Sequence, residues 1–516
     1  MKINRLIPTL TLALILHSLQ AQETDDSQGS PERPNLIVIL VDDMGWSDVG
    51  AYGGEIRTPN LDRLANEGMR FRHFYNTSKC FPSRACLLTG RYAQEVGMAQ
   101  RPKFLENALT LGEALRPAGY YTVAVGKQHG RDNLYDRGFD HFYGLLGGAS
   151  NHFNPGGTIE MGYANKGGRD RYAFDEEIIN PYMPDEEEDF YTTDNYTDWA
   201  IELLEKKPED KENFLLYLSY TTPHDPLQAW PEDIKKYEGT YDEGYAPIRQ
   251  ARWEKQKEIG IVTEAYELPE PSHDDWSELD EEQQKDQARR MQVYAAMIDS
   301  LDQNLGRLFT WLEEKGYMKN TVILFMSDNG SNPKVVDNGY GEIGSASNWA
   351  SLGRSWANVS NTPLRYYKND SYEGGIRTPL IAWWPDGIEA GSFTNYNGHF
   401  IDLLPTLLDI AGAEYPATQN GETVPQPTGK SLLPAFQGKA EQREGPLFFQ
   451  WGRGAAMIEN DWKIVRRSHK GGWSLYNLRE DPAEINDLAE EQPERVQEMG
   501  DEWENWLENT ESGEQK

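Results

Sequence analysis

Cysteine is almost absent from this chain, and its only two copies, Cys80 and Cys86, fall in one short segment. A disulfide between them would close a tiny loop, a staple that a chain of 516 residues does not need. A disulfide or two structural thiols is the plain reading; the isolation of the pair invites a chemical one. Oxygen donors gather at two other points. The run Asn35–Asp43 stops at Asp42 and Asp43, and the run Thr321–Asn329 stops at Asp328 and Asn329. These four offer oxygen ligands only, which suit calcium or magnesium rather than zinc.

The elements that must carry these groups can be read from periodicity. Both runs are continuous, β-branched and apolar before they reach their acids, as expected of strands in a sheet covered on both faces. In open α/β sheets, sites form beyond the carboxyl ends of the strands, so the four donors are expected in one crevice. A helix precedes the second strand: Tyr294, Met297, Ile298, Leu301, Leu305, Leu308 and Leu312 recur at helical spacing, and Gly316 suits its end. Further strands are expected at Thr122–Val125, Phe214–Tyr220 and Leu380–Trp384. Helices are expected at Asn60–Glu67, Arg84–Leu88, Thr110–Arg116, Asp194–Glu205 and Asp402–Ala411. Lys127 and His129 then follow one strand end. His224 follows another through Thr221-Thr222-Pro223, where the proline fixes the backbone. The alternation of helix and buried strand is α/β logic.

Residues 233–290 are charged and aromatic and read as a helical excursion on the surface. A stretch rich in Gly, Pro, Gln and Thr near 413–429 marks a boundary. Beyond it, Leu447–Trp451, Ala455–Ile458 and Trp462–Arg466 suggest a small antiparallel sheet, with a helix at Pro493–Leu507. No internal repeat is evident.

The chain is 38% hydrophobic, enough to bury one large core. Its 50 Lys and Arg against 84 Asp and Glu leave a net charge of −34, which disfavours nucleic acid and anionic membranes as partners. An anionic substrate would have to be gathered by a local cationic pocket. At the start, Lys2 and Arg5 precede an apolar run from Leu6 to Leu16, and Ala21 offers a small residue for cleavage, the pattern of a signal peptide. No later stretch is long and apolar enough to span a membrane, so no anchor is expected.

Cys80-Phe81-Pro82-Ser83-Arg84, continued as Ala85-Cys86-Leu87-Leu88-Thr89-Gly90-Arg91, resembles the signature of the type I, formylglycine-dependent sulfatases, in their bacterial arylsulfatase-type branch. The resemblance runs along nearly the whole mature chain. It takes in Asp42-Asp43-Met44-Gly45, Gly126-Lys127-Gln128-His129, Pro223-His224, Ser327-Asp328-Asn329-Gly330 and Tyr367-Lys368. It implies the alkaline phosphatase fold: α/β, a large mixed and mostly parallel sheet between helices, with a small C-terminal antiparallel sheet subdomain. The expected division is a signal peptide at 1–21, a disordered leader at 22–34, a catalytic domain at 35–412 and a C-terminal subdomain at 413–516.

By the same resemblance a formylglycine-generating maturation enzyme oxidises Cys80. One hydroxyl of the hydrated aldehyde attacks sulfur and the other expels sulfate by reforming the carbonyl, a release that a plain serine could not perform. Asp42, Asp43, Asp328 and Asn329, with residue 80, would hold one calcium ion. Arg84 would fix the nucleophile and its helix start. Lys127 and His129 would contact residue 80, with His129 as base. His224 would protonate the leaving alcohol, and Lys368 would bind sulfate. The expected substrate is a sulfated polysaccharide or its oligosaccharides, met after secretion or in the periplasm. Gln128 stands where the family commonly has Trp, and Gln450-Trp451 where many relatives carry Glu-His. His152, His399, Trp349, Trp356 and Asn358 are candidates to line a sugar subsite, whereas His73 and His141 read as structural. The competing readings are a phosphatase or phosphodiesterase of the same fold, and a carbohydrate-binding relative without catalysis.

Overall fold

Ten strands form the central sheet of the computed structural model. It describes residues 33–158, 162–164, 172–179, 190–419, 421–440 and 442–514. The expected signal peptide and all but the last two residues of the expected leader lie outside them. The strands are β1 (Asn35–Val41), β2 (Met69–Phe71), β3 (Tyr121–Gly126), β4 (His141–Leu145), β5 (Tyr172–Phe174), β6 (Glu177–Ile179), β7 (Phe214–Ser219), β8 (Thr321–Ser327), β9 (Leu380–Trp383) and β10 (Ser392–Thr394). Their order is β10-β2-β9-β8-β1-β7-β3-β4-β5-β6. The five from β8 to β4 run parallel. On either side of them antiparallel pairs appear, β9 against β8 and β5 against β4.

The central strands are buried on both faces, which explains their unbroken apolar sequence. Side chains alternate between two cores. Ile37, Ile39 and Val41 of β1 face one, and Leu36, Val38 and Leu40 the other. The helices that matter for the site are α1 (Pro59–Glu67), α2 (Cys80–Thr89), α3 (Thr192–Glu205), α4 (Glu281–Glu314), α5 (Leu403–Ala411) and α6 (Pro493–Glu514). The first core is closed by α1, α3 and α4 and the second by α2 and α5. The charged region 233–290 does carry helices, Pro231–Lys235 and Tyr245–Glu258, before α4 begins.

A second sheet is antiparallel: β11 (Leu447–Trp451), β12 (Gly454–Glu459), β13 (Trp462–Arg466) and β14 (Ser474–Asn477). One face, with Leu447, Phe449, Ala456 and Val465, completes the second core. The other, with Met457, Ile464 and Leu475, packs under Met499 and Trp503 of α6. Residues 33–516 thus make one compact unit. Lys463 of β13 is fully buried and pairs with Glu373 at 2.8 Å and Glu484 at 2.7 Å, while Arg377 also pairs with Glu373. This ion network ties the second sheet to the segment that follows Lys368.

Candidate active site

Strand register sets the site. Val41 is level with Ser327, and Leu40 and Gly126 are both level with Ser219. The next residues, Asp42, Lys127 and Asp328, therefore emerge in one row at the carboxyl edge of the sheet. Gly126 is required there: it has φ +107°, and a Cβ on it would meet the Ser219 carbonyl oxygen at 1.9 Å.

The nucleophile candidate is delivered by α2. Cys80 is its first residue, so the partial positive charge of the helix start would favour a negative atom at that side chain. All ten residues of α2 are buried. Its entry is braced by Ser83, whose hydroxyl accepts from the Thr77 amide at 3.0 Å. One turn further on, Arg84 reaches back to the strand ends. It donates to Asp328 Oδ2 from Nε at 2.9 Å, and to the Lys127 carbonyl at 3.0 Å. Cys80 and Cys86 are both free and buried. Burial pushes the Cys86 thiol pKa up, which keeps it inert.

Each catalytic-site cation meets an acid, and Arg84 also lies 3.8 Å from Asp42 Oδ1. Lys127 pairs with Asp42 Oδ2, Lys368 with Asp43 Oδ1 and Arg84 with Asp328. Lys368 Nζ also lies 3.1 Å from Cys80 Sγ. Burial alone would raise the Asp42 pKa, but Lys127, His224 and Arg84 hold it well below the usual carboxylate range. Asp328 goes the other way, to about 7, driven by burial and then by the charge of Asp42.

These pairings leave one face of the cluster open. Asp42 Oδ1, Asp43 Oδ2 and Asn329 Oδ1 are buried without a hydrogen-bond partner. Buried oxygens left without a hydrogen-bond partner are costly unless a cation meets them. Ligand atoms of Asp42, Asp43, Cys80 and His224 lie within 4.8 Å of one another. Asp328 stands outside that tight group because Arg84 engages it, while Asn329 donates to Asp43 Oδ1 at 2.6 Å. The donor set is hard and oxygen-rich, and it fits a divalent cation such as calcium.

The histidines separate by environment. His224 Nδ1 donates to the Asp225 carbonyl at 2.6 Å and lies 3.2 Å from the Asp225 carboxylate, which turns Nε2 towards Asp43 Oδ2 at 3.5 Å. Asp225 is itself held by Asn332 at 2.8 Å and by the Trp349 indole at 2.9 Å. His129 packs edge-on to Phe81. Burial, then the charges of Lys127 and Arg84, keep its pKa well below the ordinary value, so its imidazole is neutral. His152 is buried behind His224, 3.1 Å from its carbonyl.

Other sequence candidates fall away from the crevice. His399 accepts from the Ile401 amide and packs against Phe449, so it caps a turn rather than lining a subsite. Trp356 is buried among Tyr241, Tyr245 and Trp276, and Asn358 accepts from the Ser272 amide. Both build the first core's edge. Asp225 and Asn332 are site-supporting residues the sequence reading missed; Asp225 sits next to His224, and that adjacency was the available signal. A cavity of about 770 Å³ lies elsewhere, between the β2–β10 edge and the second sheet.

A family model described as Sulfatase matches residues 34–413. The chain belongs to the sulfatase family. It is a type I sulfatase of the alkaline phosphatase superfamily, and so a sulfuric ester hydrolase. A second model, N-sulphoglucosamine sulphohydrolase, C-terminal, matches residues 365–512 of the sulfatase. It is 35% identical over 451 residues to an arylsulfatase of Klebsiella aerogenes, covering 81% of this chain and 95% of that one. It is 27% identical to an N-acetylglucosamine-6-O-sulfatase of Bacteroides thetaiotaomicron, over 93% and 87% of the two chains. The crystal structure of Ps i-CgsB in complex with k-i-k-neocarrahexaose superposes with a TM-score of 0.68 at 26% identity, covering 92% and 93% of the chains. The expected fold is therefore the observed one.

Proposed function

We propose that this sulfatase hydrolyses sulfate esters on a sulfated polysaccharide or its oligosaccharides, outside the cytoplasm, by a formylglycine made from Cys80 by a maturation enzyme. One calcium ion, held by Asp42, Asp43, Asp328, Asn329 and residue 80, assists. The observation that carries this reading is the position of Cys80: first in a buried helix, 3.1 Å from Lys368 Nζ, with ligand atoms of Asp42, Asp43 and His224 within 4.8 Å of its own and of one another. When bound, the metal would polarise the sulfate, and the hydrated aldehyde would supply one hydroxyl for attack on sulfur and another for release.

The chain's own residues do the rest. Lys368 Nζ, already beside the side chain of residue 80, neutralises charge on the sulfate oxygens as sulfur is attacked. His224 gives a proton from Nε2 to the leaving alcohol; Asp225 orients its ring, and burial, which lowers its pKa, is opposed by the charges of Asp43, Asp42 and Asp225. His129, neutral in its setting, takes the proton from the remaining hydroxyl of residue 80 as sulfate departs. Arg84 and Lys127 hold Asp328 and Asp42 in place. Sugar substrates are supported by the relatives, which include an N-acetylglucosamine-6-O-sulfatase. Export is supported by the signal-peptide pattern before Ala21.

The test is free sulfate released from a panel of sulfated polysaccharides, their oligosaccharides and an aryl sulfate, with the enzyme produced alongside a formylglycine-generating system. Release by the wild type but not by Cys80→Ala is expected. Equal release by both would overturn the proposal.

A further inference from the structure

The three cations at the reaction centre are each matched by a carboxylate, so none is left over for a second anion. Two lysines at its mouth are not so matched. Lys79 immediately precedes Cys80 and is half-buried. Its ammonium lies 5.6 Å from the centre of the Trp451 ring, and no ion pair to a carboxylate is found for it among the described residues. Lys334 is exposed, likewise without a carboxylate partner among them, and its amide donates at 3.1 Å to Oδ1 of Asn332, the residue that holds Asp225.

Trp451 is the point on which this mouth converges. It ends β11 and is half-buried. Its ring meets Phe81 edge-on at 5.3 Å, and its indole N–H donates to Asn369 Oδ1 at 3.1 Å. Lys79 and Phe81 flank Cys80 in sequence, and Asn369 follows Lys368. Asn369 is held there by its own amide, which donates to the Ser78 carbonyl at 2.8 Å. The second sheet thus touches the sequence neighbours of the reacting groups.

A half-buried ammonium met only by an aromatic face keeps most of its capacity to bind an anion. On a chain of net charge −34, an unmatched pair of lysines beside the nucleophile is a local attractor for negative charge. We propose that Lys79 and Lys334, with Trp451 as the wall, form a subsite for a second anionic group on the substrate. The enzyme then prefers saccharides in which the sugar carrying the reacting sulfate, or its neighbour, bears another sulfate or a carboxylate. This rests on the sulfatase reading and adds to it the class of substrate.

The experiment measures binding, so it stands apart from turnover. Cys80→Ala protein is titrated calorimetrically with paired saccharides that differ by one sulfate: kappa- against iota-carrageenan disaccharides, and N-acetylglucosamine 6-sulfate against glucosamine 2-N,6-O-disulfate, in which a sulfate replaces the acetyl group. The more sulfated member of a pair is expected to bind about tenfold tighter at low salt, an advantage that shrinks as salt is raised. Lys79→Gln in the same background should reduce that ratio to about twofold or less, and Lys79→Arg should restore it. Lys334→Gln, at an exposed position that cannot disturb the fold, should lower it part of the way. Equal binding within every pair, a preference that survives both Gln variants, or no saturable binding to any member would overturn the proposal. A failure of sulfate release by the unaltered enzyme would strike the reaction assigned above and leave this binding result intact.

Discussion

At the scale of single residues, the site works by sharing. Each carboxylate gives one oxygen to a fixed cation, and Asp42 and Asp43 each keep another without a hydrogen bond, as does the side-chain oxygen of Asn329. That division follows from sequence only in part. The acids were legible because each ends an apolar strand, and Cys80 because its motif is specific. The pairing of Lys127 with Asp42 and of Lys368 with Asp43 was not, since it depends on side chains brought together from separate strand ends and, for Lys368, from a distant loop. His399 misled for the opposite reason: a lone histidine looks the same in sequence whether it faces a crevice or caps a turn. The role given to His224 has a specific consequence. His224→Ala should lose about 10²–10⁴-fold in turnover of alkyl sulfates, whose leaving alcohols need a proton. It should lose far less on aryl sulfates with good leaving groups. Equal losses on both, measured as kcat, would contradict the assignment.

At the scale of elements, the strong signals were the buried strands and the long amphipathic helix. Thr321–Ser327 and Leu447–Trp451 stand where their apolar runs place them. The helix read from Arg84 begins four residues earlier, at Cys80, because Pro82 is tolerated in a first turn whose amides have no partners anyway. Short strands such as Met69–Phe71 went unread; three residues carry no periodicity. The second sheet is fastened to the site's supporting loop by buried charge. Lys463→Met should leave Glu373 and Glu484 short of their shared cation and cost about 3–5 kcal/mol of stability, seen as a lower midpoint in denaturant. A midpoint within error of wild type would mean that the network is not needed to hold the sheet in place.

At the scale of the whole molecule, one large sheet gathers groups scattered over almost 330 residues of sequence, from Asp42 to Lys368, into a single buried point. The overall negative charge says little about anion affinity, because the local arrangement of cations decides it. A metal at the orphaned oxygens would also bind the folded state alone, so its loss should reach beyond catalysis. Chelation should abolish turnover and lower the melting temperature, and added calcium should restore both. Full activity in excess chelator, with metal removal verified, would contradict calcium's assigned part. The central claim is the identity of the nucleophile, and mass spectrometry of the peptide containing residue 80, from a preparation whose sulfate release has been measured, tests it most directly. The account predicts an aldehyde in place of the Cys80 thiol, an unmodified thiol at Cys86, and activity in proportion to the modified fraction. A fully active preparation carrying only the thiol at residue 80 would contradict it.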